Sequence, residues 1–172
     1  MSEQTDLLGI PIPSTDKVFL TFVVIHIFIS LGAVVSGAGA MLSNKSTRRH
    51  SFFGRFYLKT MLSSFGTVII LSIMRWPQNI HLLSIGFFAA SFTYMGYRMS
   101  KSKRKNWTRL HTILMGFSYT LLLTGFYVDN GKNLPFWNRF PQLFFWIFPV
   151  SVGIPIIVWA LLRHPLNKIN HK

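Results

Sequence analysis

Long apolar runs separated by short polar, basic segments dominate the chain. Five of these runs, about 18–42, 52–74, 80–97, 110–128 and 142–162, reach or approach the length that crosses a bilayer, which takes about 20 residues. No run shows the strict alternation of a half-buried strand. The pattern predicts an all-α integral membrane protein over 1–172 as a single membrane domain: a four-helix bundle plus a fifth transmembrane helix. The connections are short, so consecutive helices should pack as antiparallel neighbours. The second run is the least clean, because Arg55 and Lys59 fall in its first two turns. Both are long enough to snorkel to the interface. Pro149, Gly153 and Pro155 predict a kinked or irregular fifth helix.

Composition agrees with lipid as the solvent. Half of the residues are hydrophobic and only 13% are charged, against roughly 25% in a soluble domain. The 18 Lys and Arg against 4 Asp and Glu give a net charge of +14. Such a balance could point to nucleic acid, but the cations lie between apolar runs rather than on one polar surface. Topology accounts for them better. Lys45, Arg48, Arg49, Arg55, Lys59, Arg98, Lys101, Lys103, Arg104, Lys105, Arg109, Arg163, Lys168 and Lys172 fall at one end of the helices, and only Lys17, Arg75, Lys132 and Arg139 at the other. The positive-inside rule then puts the N-terminus outside and the C-terminus in the cytoplasm. The predicted location is a bacterial inner (plasma) membrane. The predicted partners are the bilayer and its anionic lipids, with no nucleic acid. With no lysine or arginine in residues 1–16, a cleaved signal peptide is not expected, so the first helix is retained.

Small residues in the first helix, Ala33/Gly37 and Ser36/Ala40, stand four apart and allow close helix contact. They serve internal packing or a homo-oligomer through helix 18–42. The absence of cysteine excludes disulfides, thiolate ligands and cysteine nucleophiles. No paired carboxylates, glycine-rich phosphate loop, zinc motif or nucleophile elbow is present. An enzyme is not expected.

The histidines carry the chemistry. His26 lies about two turns inside the first helix, His50 just before the second, His81 at the start of the third and His111 at the start of the fourth. Two pairs, His26/His81 near the outer face and His50/His111 near the inner face, come from helices two apart in sequence, which can lie diagonally in a bundle. Facing imidazoles could ligate a haem b iron. Of the two pairs, the inner one matches in depth. Arg55, Lys59 and Arg109 are candidate contacts for haem propionates or lipid phosphate. His50, Gly54 and Tyr57 share one helix face, where Gly54 would admit a neighbouring helix. Asp129 precedes an Asn130-Gly131 turn signal. Its expected role is capping or turning, with Arg75, Lys132, Arg139 and His81 as candidate partners.

Four histidines paired in this way resemble, as a pattern, the ascorbate-type transmembrane b cytochromes. His50-x-x-x-Gly54-Arg55-x-Tyr57, Arg109-Leu110-His111 and the segment 126–131 more closely resemble an uncharacterised family of predicted bacterial multi-pass membrane proteins. That resemblance spans roughly 20–160 and implies a four-to-five-helix membrane fold without an established activity. Three readings follow: a non-enzymatic accessory or small-solute membrane factor, which is preferred; a haem b transmembrane electron carrier; and a small proton- or lipid-linked transporter using His26 and Asp129. Few buried charges argue against the last.

Overall fold

A computed structural model describes residues 5–7, 10–12, 16–45, 47–102 and 105–163. Five helices carry it: α1 (Lys17–Leu42), α2 (Arg48–Met74), α3 (Ile80–Ser102), α4 (Trp107–Asn130) and α5 (Gln142–Arg163). All five are long and apolar enough to cross a membrane. A short antiparallel hairpin, β1 (Thr5–Leu7) with β2 (Ile10–Ile12), precedes them and pairs Leu7 with Ile10. The apolar pattern gives no sign of it. The tail histidines His164 and His171, and Lys103, Arg104, Lys168 and Lys172, lie outside the described residues.

Helices α2, α3 and α4 are longer than their apolar runs at the basic end. α2 begins at Arg48, α3 continues to Ser102 and α4 begins at Trp107. Arginine and lysine are good helix formers, and a helix that emerges from lipid need not stop there. His50 therefore sits inside α2, not before it. The opposite end of α1 is set by Asp16, whose carboxylate accepts from the Val18 amide at 2.9 Å. That is an ordinary N-cap and offsets one orphan donor. α5 runs as one helix through Pro149 and Pro155. Gly153 has a different role. A Cβ there would lie 2.3 Å from Thr120 Oγ1, so its bare backbone lets α5 lie directly on α4.

Sequential helices pack as antiparallel neighbours: α1 on α2, α2 on α3, α3 on α4 and α4 on α5. α1 also meets α4, where the Tyr119 hydroxyl donates to the Val34 carbonyl at 3.2 Å. The first four helices thus close into a bundle and α5 rides on its α4 side. Ala33, Ser36, Gly37 and Ala40 are all buried, and rings cover this stripe: Tyr119 and Tyr57 on Gly37, Phe53 on Gly39. The small residues of α1 therefore serve packing within the chain, and a homodimer through α1 would have to use its other face. That face presents Ile25, Phe28, Leu31 and Val35, all exposed, as a surface suited to lipid. By contrast, nothing lies within 4 Å of a Cβ built at Gly54. The close approach expected there does not occur.

The interior mixes apolar and hydroxyl side chains. Tyr57, Met61, Ala33 and Ala89 form the central cluster, Phe19 and Leu71 a second, and buried serines and threonines stand among them. Every buried side-chain polar atom among the described residues has a hydrogen-bond partner. Without water, an unpartnered hydroxyl would cost several kcal/mol.

A candidate bis-histidine site at the basic end

His50 and His111 meet across the bundle. Their ring centroids are 6.2 Å apart and the ring planes lie at 81°. Each sits in an early turn of its helix, so the two imidazoles share a depth. Each is also anchored from behind. His50 Nδ1 lies 2.9 Å from the Ala40 carbonyl in the last turn of α1, and His111 Nδ1 lies 2.9 Å from the Gly96 carbonyl of α3. A carbonyl can only accept, so both Nδ1 atoms carry protons and both Nε2 atoms hold the lone pair in the neutral ring. An imidazole fixed through Nδ1–H to a carbonyl is the usual arrangement of a metal-binding histidine. Trp107 packs on His111 with centroids 6.5 Å apart.

The same hydrogen bonds also serve the fold. The Ala40 carbonyl is one of the four that α1 leaves unpaired at its C-terminus. It accepts from His50 and, at 3.1 Å, from the Lys45 ammonium, which also donates to Met41 at 2.6 Å. Desolvation in this loop lowers the Lys45 pKa from its usual value.

One layer further in, seven residues along each helix, stand Tyr57 and Ser118. Seven residues rise about 10 Å. The Tyr57 hydroxyl lies 2.8 Å from Ser118 Oγ, Ser118 contacts Thr93 Oγ1, and Thr93 donates to the Ala89 carbonyl at 2.9 Å. Since the Thr93 proton is committed to Ala89, the chain runs one way: Tyr57 to Ser118 to Thr93 to backbone. Tyr57 is 1% exposed, so it is a packed core residue closing the space beyond the histidines.

The outer pair does not form. His26 turns to α2, with Nδ1 2.7 Å from Thr67 Oγ1 and Nε2 3.2 Å from Ser30 Oγ. Thr67 donates to the Ser64 carbonyl at 2.7 Å and Ser30 lies 2.8 Å from Ser64 Oγ. Thr67 has spent its proton, so His26 must donate from Nδ1, and Ser30 supplies the proton to Nε2. His81 is elsewhere, beside Trp146 at 6.2 Å and within electrostatic reach of Asp129. His26 and Asp129 are not brought together. The arrangement predicts a neutral Nδ1–H tautomer for His26, readable in imidazole ¹⁵N shifts. It also predicts a loss of about 0.6–2 kcal/mol in His26→Ala, the range for a hydrogen bond between membrane helices. A wild-type Nε2–H tautomer would contradict the assignment.

The remaining candidates are dispersed. Arg55 and Lys59 are exposed on the outside of α2, and Arg109 is half-buried beside His111's turn. Asp129 is helical and accepts from Asn130 Nδ2 at 3.5 Å. Its expected cation partners act separately: Lys132 donates to the Phe140 carbonyl at 2.6 Å, and Arg75 stacks over Phe19 at 4.6 Å. The Asn130-Gly131 pair makes no left-handed turn. Gly131 has φ −56° and continues into a 3₁₀ turn. Its lack of a side chain leaves room for Phe145, whose ring would be 2.5 Å from a Cβ.

Among the described residues, no group of three or more His, Cys, Asp or Glu could hold a metal ion. No family model, characterised protein or solved structure matches this chain.

Proposed function

We propose that this protein is a haem b-binding membrane protein that carries single electrons, with His50 and His111 as the axial ligands at its basic end. The observation that carries the proposal is the facing pair of Nδ1-anchored imidazoles. Nitrogen–metal bonds of about 2.0–2.1 Å, with each ring centre about 1.1 Å behind its nitrogen, put two imidazoles on one metal about 6.3 Å apart. The observed 6.2 Å separation is compatible with that spacing, so His50 and His111 are the residues that would hold the group.

The donor set favours haem over a bare ion. Two imidazoles leave a zinc or copper ion short of ligands, whereas a porphyrin supplies four nitrogens and needs only the axial two. When bound, haem supplies one-electron redox chemistry. The chain's own contribution is to hold both imidazoles at equal depth, each with its Nδ1–H turned to a carbonyl. Ala40 and Gly96 do this through backbone carbonyls, which do not titrate. The buried Tyr57–Ser118 layer excludes water from the bundle side. This support favours the carrier over the accessory-factor reading, which assigns no task to a converging pair. A visible spectrum of protein expressed with ample haem tests it. A red protein with a Soret band that sharpens and shifts on reduction is expected; a colourless one rejects it.

We further propose that the basic end faces the cytoplasm of a bacterial inner membrane, with the N-terminus outside. The fourteen-to-four distribution of Lys and Arg supports this orientation. Cysteines introduced at Lys105 and Lys132 should label from the cytoplasmic and the outer side respectively. Labelling of both from one side would refute the arrangement.

A further inference from the structure

Between the end of α1 and the start of α2 lies an open groove of about 570 Å³, separate from the histidine pair. Its lining is mixed: Gly39, Leu42 and Phe53 are apolar, and Asn44, Arg48 and Arg49 are polar or cationic. Leu42 in its lining is 88% exposed, so the groove opens at an apolar surface. The hydroxyls around the groove are committed to backbone: Ser43 donates to Gly39 at 2.6 Å and Thr47 to Asn44 at 2.7 Å. The arginines are thus the groove's strong donors. No Asp or Glu occurs between Asp16 and Asp129. Asp16 caps the far end of α1, a helix of 26 residues, about 39 Å away. The start of α2 adds the positive end of its dipole, with no acid in its first turn.

We infer that this groove is a binding site for one anionic phospholipid of the leaflet at the basic end. Its phosphate sits on Arg48 and Arg49 and an acyl chain lies along Leu42 and Phe53. The guanidinium fork matches phosphate oxygens in pairs. A lining that mixes arginines with apolar side chains, at the end of two long apolar helices, fits an amphipathic anion. A soluble phosphate would use only half of it.

The test is native mass spectrometry of the purified full chain, titrated with phosphatidylglycerol and with phosphatidylcholine of identical acyl chains. Each cation near an anionic headgroup is worth about a fivefold gain, so two give about thirtyfold. The wild type should therefore retain one phosphatidylglycerol about thirtyfold better than phosphatidylcholine. Arg48→Gln and Arg49→Gln should each lower that preference about fivefold, and the double variant should nearly erase it. Arg98→Gln with Lys101→Gln, elsewhere on the basic end, should leave it unchanged. Far-ultraviolet circular dichroism checks that each variant folds, and the single variants decide if the double one does not. Equal retention of the two lipids by the wild type overturns the inference. So does an undiminished preference in both single variants, an equal loss in the Arg98/Lys101 control, or displacement of the lipid by millimolar inorganic phosphate.

Discussion

His111→Ala and His50→Ala each abolish the low-spin spectrum expected of the haem-loaded protein, while His26→Ala and His81→Ala leave it intact. The reason is geometric. Among the described histidines, only His50 and His111 share a depth and meet, with ring centroids 6.2 Å apart. His26 has both ring nitrogens engaged by Thr67 and Ser30. Removing one axial ligand leaves five-coordinate iron, which is high-spin and more weakly held. Haem retention should fall by more than the roughly 10–100-fold typical of losing a residue that merely orients a ligand. Added imidazole should restore the low-spin bands in His111→Ala, because it refills the vacated axial position without refolding the chain. A red wild type whose spectrum survives both inner substitutions would refute the assignment. In that case the rings would be an edge-to-face contact between α2 and α4, with His50 simply pairing an orphan carbonyl of α1.

The inner pair was legible in the sequence and the outer pair was not, for one reason. Counting from the predicted helix ends gives a residue's depth but not the direction in which it points. His50 and Tyr57 are seven apart on α2, and His111 and Ser118 are seven apart on α4. A seven-residue repeat keeps each pair on one stripe, so the two layers meet with the same offset between helices. His26 and His81 have no such agreement. His26 is seven residues from buried Ala33 and faces the α1–α2 seam, where Thr67 takes it. Hydroxyls rather than a second imidazole complete the His26 ring, through Thr67 and Ser30, and Ser118 and Thr93 take up the Tyr57 hydroxyl. A signal existed, since Ser64 and Ser118 continue the stripes of His50 and His111.

The helices themselves were legible because apolar runs of bilayer length have few alternatives. Their ends were not. Basic turns extend α2, α3 and α4 beyond their apolar runs without breaking hydrogen-bond periodicity. Glycine was the least legible residue. Gly54 looked like a packing site and meets nothing, whereas Gly116, Gly131 and Gly153 admit Ile157, Phe145 and Thr120. Which glycine faces a partner depends on how the helices are rotated against each other, and local spacing does not encode that.

That contrast yields the second large effect. Gly37→Leu should destabilise the bundle by about 3 kcal/mol or more, at the upper end for overpacking a well-filled core. A Cβ at Gly37 would fall 2.5 Å from Tyr119 Cδ2 and Cε2 and 3.1 Å from Tyr57 Cδ2. Neither ring can swing away freely. Tyr119 is tied to the Val34 carbonyl, and Tyr57 is fully buried and tied to Ser118. The strain must therefore push α1 away from α4. Gly54→Ala should be neutral or stabilise by about 0.5–1 kcal/mol, since it relieves glycine's helix penalty with no neighbour to meet. Thermal unfolding in detergent measures both. At about 2–4 °C per kcal/mol for a chain of this size, the midpoint should drop about 6–12 °C in Gly37→Leu. The packing account is wrong if the two variants unfold together. A further consequence ties this packing to the histidines. Gly37 lies one turn before Ala40, whose carbonyl anchors His50, so displacing α1 loosens that ligand. Gly37→Leu should then weaken the low-spin signal of the haem-loaded protein even below its unfolding midpoint, and Gly54→Ala should not.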